Sequence, residues 1–122
     1  MKRIAVVEDN PDNRLLVRAI LKDRFEVIEY ETGVAALEGL EKDVPDLVLL
    51  DISLPGMDGT DILRRLKGEP RWSAIPVIAL TAHAMAGDRE RLLGLGFDEY
   101  LAKPILDPVA LIQQIEKQLD QN

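Results

Sequence analysis

Cysteine is absent from this chain of 122 residues, and aromatic side chains make up only 4% of it. The first absence excludes disulfide frameworks, thiolate metal sites and cysteine nucleophiles. Burial alone must therefore hold the fold, and this length suits one domain with a single core and no covalent staples. Positive charge is in deficit, with 15 Lys and Arg against 22 Asp and Glu for a formal net charge of −7. That balance argues against nucleic acid or an anionic membrane as partner. No apolar run approaches the ~20 residues of a membrane-spanning helix. Met1-Lys2-Arg3 leads into only four apolar residues before Glu8, which does not make a signal peptide. A cytoplasmic protein is expected.

Against these absences stand three short apolar runs: Ile4-Ala5-Val6-Val7, Leu47-Val48-Leu49-Leu50 and Val77-Ile78-Ala79-Leu80. Each is continuous rather than alternating, the pattern of parallel strands covered on both faces. The segment Phe25 to Tyr30 mixes acidic and apolar residues, as an edge strand does, and Asp98 to Ala102 is a fifth, short candidate. Helical segments fall between them. Asn10-Pro11 caps the first, which places Leu16, Val17, Ile20 and Leu21 on one face. The second follows Gly33 to Leu40. The third starts at Asp58-Gly59 with Ile62, Leu63 and Leu66 inward, and the fourth runs from about Met85 to Leu93, stopping at Gly94 and Gly96. The last spans about Asp107 to Leu119, with Leu111, Ile112, Ile115 and Leu119 buried. Strand–helix alternation repeated five times predicts an α/β fold with a doubly wound parallel sheet, and 1–122 as one domain with no output domain attached.

Ligands of such sheets bind beyond the carboxyl ends of the strands. The first strand ends in Glu8-Asp9, the third in Asp51 and the fourth in Thr81, while Lys103-Pro104 follows the fifth. Asp is depleted in strands and costly to bury unpaired, so Asp51 at the tip of Leu47 to Leu50 needs a reason. Three converging carboxylates need counter-charge, which Lys103 and a hard divalent cation such as Mg²⁺, with Mn²⁺ as a substitute, can supply. A metal, a carboxylate, a hydroxyl and a lysine around one point make a phosphoryl-transfer site. In that reading Asp51 is the nucleophile, Lys103 and the metal neutralise phosphoryl charge, and Thr81 donates a hydrogen bond to the phosphoryl group.

The segments "VVEDN", "DLVLLDISLPGMDG", "PVIALTAHA" and "FDEYLAKP", in this order, resemble the receiver domain of bacterial two-component response regulators over essentially the whole chain. The resemblance implies a flavodoxin-like five-stranded sheet in the order 2-1-3-4-5. It implies Asp51 as phosphoacceptor, with Glu8, Asp9, Asp51 and the backbone carbonyl of Ser53 as metal ligands. Thr81 becomes the switch hydroxyl, Lys103 the phosphoryl partner, Tyr100 the switch aromatic, and the Lys103-Pro104 bond is implied to be cis. Ser53 and His83 fall where the family modulates water access to the phosphoryl group. Glu8 departs from the more usual Asp, and its longer arm suits metal contact through water. The closest analogue is the stand-alone type, a switchable carrier or protein ligand rather than an enzyme acting on a separate substrate. It would receive its phosphoryl group from a histidine kinase or histidine phosphotransfer protein and signal to a downstream protein. Leu15, flanked by Arg14 and Arg18, is the one apolar residue of the first helix that does not face the sheet, and is expected to dock the histidine-bearing partner.

Each residue alone has a plainer explanation. Glu8 and Asp9 can solvate a strand end, Asp51 can form an Asx-type turn, Thr81 can cap a helix and Lys103 can sit in solvent. Their coincidence at four strand ends favours the site. Trp72 is expected only to pack. A substrate phosphatase would carry a second Asp where Ser53 stands. A flavin carrier would need a phosphate cradle where Glu8 to Asp12 offers negative charge, and no P-loop is present. The remaining alternative is a receiver-fold interaction module that works without phosphorylation.

Overall fold

The structure is a computed structural model that describes residues 1–82, 86–103, 105 and 107–120. Its elements run β1 (Arg3–Val7), α1 (Pro11–Leu21), β2 (Glu26–Tyr30), α2 (Gly33–Lys42), β3 (Leu47–Asp51), α3 (Gly59–Gly68), β4 (Val77–Thr81), α4 (Asp88–Leu95), β5 (Glu99–Ala102) and α5 (Pro108–Asp120). The strands form one parallel sheet in the order β2-β1-β3-β4-β5, as the resemblance implies.

The continuous apolar runs take the three central positions, and every residue of β3 and β4 is buried. Successive side chains point to opposite faces, so each run feeds two cores. Ile4, Val6, Leu47, Leu49, Ile78 and Leu80 meet Val17 and Leu21 of α1 and Leu111 and Ile115 of α5. Ala5, Val7, Val48, Leu50, Val77 and Ala79 face the other way. They meet Ala36 and Leu40 of α2, Ile62, Leu63 and Leu66 of α3, and Leu92 of α4. Fully burying one aliphatic side chain contributes roughly 1.5–3 kcal/mol, so these two layers, more than helix propensity, hold the short helices in place. Trp72 packs into the second core, as expected.

Four helix starts carry side-chain caps, that of α5 through Asp107 Oδ1, which accepts from the Ala110 N–H at 3.2 Å. The Asn10 side chain accepts from the Asp12 and Asn13 N–H groups with Pro11 at the first helical position, and Thr32 accepts from Ala35. Asp58 Oδ1 accepts from the N–H groups of Thr60 (2.9 Å) and Asp61 (3.1 Å). Behind that cap Gly59 is required by space. A Cβ there would lie 2.5 Å from Ile52 Cα and 2.9 Å from the Asp51 carbonyl oxygen, so only glycine lets α3 begin so close to the end of β3.

Several expectations need correction. The expected start of the fourth helix at Met85 lies outside the described residues. Within them α4 begins at Asp88, after Gly87 in a left-handed conformation (φ 88°), with Asp88 and Glu90 acidic in its first turn. Gly94 does not end it. Gly96 does (φ 117°), its N–H meeting the Leu92 and Leu93 carbonyls. Leu16 does not face the sheet and is 38% exposed, because the buried stripe of α1 is centred on Val17 and Leu21. Ile112 and Leu119 are only partly buried, whereas Gln118 is buried.

The Asp58 cap is testable. Bonds from the Thr60 hydroxyl and the Asp61 and Thr60 N–H groups hold its carboxyl below the usual range. Its stabilisation is therefore fully present above the ordinary carboxyl pKa and lost as pH falls through the depressed value. Asp58→Ala should cost about 1 kcal/mol at neutral pH. Denaturant melts of both proteins should converge in strong acid, and a constant difference there would contradict the assignment.

Candidate functional site

Parallel strands with matched ends bring their final residues to one edge. Val7 pairs in register with Leu50, which sets Glu8 abreast of Asp51. Asp51 in turn pairs with Leu80, and Thr81 with Ala102. The Lys103 N–H continues the ladder onto the Thr81 carbonyl at 2.7 Å. The four strand ends named from the sequence thus meet around one point.

Lys103 occupies the centre. Its Nζ lies 2.9 Å from Asp51 Oδ2 and 3.0 Å from Glu8 Oε1. Glu8 and Asp51 are 0% and 1% exposed. Glu8, Asp9 and Asp51 each offer a carboxylate oxygen within 4.8 Å of the others. Asp51 Oδ1 accepts from the Ser53 N–H at 2.9 Å, so one oxygen is anchored by the turn after β3. Thr81 is buried at the end of β4. Tyr100 is partly buried in β5 against the α2–α3–α4 core, in register with Ala79.

The electrostatics show a shortage of positive charge. Burial is the largest cause that pushes the Glu8 carboxyl up to about 7; the neighbouring Asp51 adds to the rise and Lys103 opposes it. Burial would also raise Asp51, but bonds from Glu8, the Ser53 N–H and Lys103 outweigh it and hold Asp51 below its ordinary value. Burial lowers Lys103 less than Asp51 and Glu8 raise it. Three carboxylates against one ammonium leave the cluster two negative charges in excess when all are ionised. Its donors are all hard oxygens. Such a set fits a divalent cation of the Mg²⁺ kind and not one that prefers nitrogen or sulfur.

Sequence reasoning missed what holds Glu8. Asn13 Nδ2 donates to Glu8 Oε1 at 3.1 Å, and the Asn10 N–H approaches Oε2 at 3.4 Å. The available signal was Asn13's place in the first turn of α1, on the same side as Val17, but it does not reveal the bond. Arg14 also turns inward: its Nη1 donates to the Glu8 carbonyl at 2.7 Å, and its Nε lies 3.6 Å from Glu29. Arg18 bonds Glu29 at 2.6 Å. Leu15 is 66% exposed between them. His83 and Pro104, with its expected cis bond, lie outside the described residues.

Fold and edge together match a family of signalling modules. The chain belongs to the response regulator receiver domain family, whose pattern matches residues 4–116. It is 46% identical over 107 residues to the sensor protein GacS of Pseudomonas syringae pv. syringae, covering 84% of this chain. The chain spans only 12% of the length of that relative. It is 40% identical over 108 residues to the polar-differentiation response regulator DivK of Brucella ovis, covering 88% of each chain. Among solved structures, it is similar to the receiver domain of sensor histidine kinase PA1611 from Pseudomonas aeruginosa, which holds a magnesium ion in its active site cleft. That match has a TM-score of 0.87 and 33% identity, and covers 98% of each chain. Among the described residues, no helix is long and apolar enough to cross a membrane.

A cluster short of positive charge predicts a stability response to cations. At a concentration about ten times its Kd, Mg²⁺ should stabilise the protein by about 1.4 kcal/mol. Asp9→Asn, which neutralises one carboxylate of the cluster, should blunt the shift in thermal unfolding. Equal shifts in both proteins would contradict the cluster as the site.

Proposed function

We propose that the chain is a phosphorylation-switched regulator that accepts a phosphoryl group on Asp51 from a histidine kinase or histidine phosphotransfer protein. The observation that carries this reading is the Lys103 ammonium 2.9 Å from a buried Asp51, beside two further carboxylates. A carboxylate oxygen of Asp51 attacks phosphorus. The new O–P bond forms as the P–N bond of the phosphohistidine breaks, and the imidazole nitrogen leaves with the electron pair. Lys103 follows the phosphoryl oxygens and neutralises their charge, while Thr81 donates its hydroxyl to one of them. Glu8, Asp9, Asp51 and the Ser53 carbonyl would hold Mg²⁺, or Mn²⁺ in its place, which when bound supplies further charge neutralisation. The acyl phosphate is hydrolytically labile, and Ser53 and His83 tune water access to it.

The readout follows from packing. As Thr81 moves toward the phosphoryl group, Tyr100 moves into the vacated space. A pre-existing equilibrium then shifts on the face of α4, β5 and α5 toward a form that a downstream protein recognises. Similarity to DivK over most of both chains supports a stand-alone regulator. The kinase-side partner docks on α1, where Leu15 and Leu16 are both exposed; Arg18 lies on the rim and Arg14 braces it from within. A regulator of this kind works in the cytoplasm without nucleic acid or membrane.

Labelling with acetyl phosphate tests the reading. Wild type should label in a Mg²⁺-dependent manner and Asp51→Asn should not. Equal labelling puts the acceptor at another residue and overturns the assignment, whereas no labelling of either protein leaves an interaction module that works without phosphorylation. For docking, Leu15→Asp should slow transfer from a cognate kinase while leaving transfer from acetyl phosphate unchanged. Equal slowing by both donors would contradict the docking face.

A further inference from the structure

Glu8 poses a problem that the proposed reaction makes sharper. It is fully buried, and a buried carboxylate is tolerated only while hydrogen-bonded. Its donors are the Asn13 side chain, the Lys103 ammonium and the Asn10 N–H. Lys103 is shared with Asp51, and in the proposed reaction it turns toward the phosphoryl oxygens. The Asn10 N–H, at 3.4 Å, is a long contact. Asn13 therefore supplies the side-chain bond that Glu8 keeps when Lys103 is engaged elsewhere.

Asn13 is itself well anchored. Its N–H bonds the Asn10 side chain at 3.2 Å, Pro11 opens the helix, and Val17 and Leu21 root α1 in the core. In the ionised form that a cation requires, Glu8 only accepts, so the amide nitrogen, not the amide oxygen, faces it. Glutamate also has one more rotatable bond than aspartate, and without a lateral restraint its carboxylate would sweep a wider arc at the sheet edge. We propose that Asn13 is a positioning residue that fixes the Glu8 carboxylate in the geometry required by a divalent cation. The inference rests on the cation reading of the Glu8–Asp9–Asp51 cluster and extends it to a residue of α1.

The test is Mg²⁺ titration of the full chain by calorimetry, run on Asn13→Ala in two backgrounds, wild type and Glu8→Asp. Removing a hydrogen-bond partner of a metal ligand should weaken affinity by about tenfold. The shorter Asp at position 8 no longer reaches Asn13, so in that background the same substitution should matter less than about twofold. Thermal unfolding without Mg²⁺ checks that each variant is folded. Asn13→Leu, close to Asn in size, replaces Asn13→Ala if the latter is not, with the same result expected. Wild-type affinity in the Asn13 variant overturns the proposal, as does an equal loss in both backgrounds, which would make Asn13 a helix residue only. If the unaltered protein does not bind Mg²⁺, the cation reading itself fails and the proposal goes with it.

Discussion

The ammonium of Lys103 lies between two buried carboxylates, and the functional edge of the sheet depends on that contact. Residues 8 and 103 stand 95 positions apart, and 51 and 103 stand 52 apart. Only a completed parallel sheet in the order β2-β1-β3-β4-β5 brings them within hydrogen-bond reach. The apolar strands make the site possible as well as stable. β3 and β4 are buried throughout, so a charge can be carried only at their carboxyl ends, where helices and loops replace the neighbouring strand. Asp51 stands there on a rigid support and Lys103 balances it. A buried carboxylate with one shared cation is a costly arrangement that folding alone does not demand. Stability given up at one edge is characteristic of a place where chemistry is done.

Much of this was legible from residues alone. Continuous apolar runs identify the central strands because both faces of a parallel sheet are covered, and the Asn10-Pro11 and Asp58-Gly59 pairs mark helix starts through local capping that needs no tertiary context. The carboxylates and lysine at strand ends could be placed together because topology dictates where those ends lie. What could not be read depends on rotation and reach. Leu16 and Val17 differ by one position on α1, yet one is exposed and the other buried, since a helix face is settled by what packs against it. The helix α4 begins where Gly87 takes a left-handed conformation and runs through Gly94, a residue that composition alone reads as a stop. The Asn13 bond to Glu8 is a side-chain contact between a strand end and a helix turn, and no periodicity announces it.

The same geometry separates a heavily packed part from a lightly packed one. The central strands and α1 are tied by apolar burial and by Arg14, whose guanidinium bonds the Glu8 carbonyl. On the other side, α4 is eight residues long, and Leu92 is its one buried aliphatic side chain. It is tied to β5 by Arg89, whose guanidinium grips the buried Glu99 at 3.2 Å through two nitrogens. Glu99 directly precedes Tyr100. A polar clasp over a small apolar contact is easier to re-form in a second arrangement than a packed core. In the proposed switch, this is the region through which a buried event at Thr81 and Asp51 would reach the surface.

The central claim is that the excess negative charge at the sheet edge is organised around Asp51 as a phosphoryl acceptor. Mass-spectrometric mapping of the protein after treatment with a small-molecule phosphoryl donor and Mg²⁺ tests it most directly. A single phosphoryl group on the peptide containing Asp51, removed by mild base that cleaves acyl phosphates, is the predicted result. A phosphoryl group on a serine or threonine peptide, or none at all under conditions where Mg²⁺ binds, would contradict it.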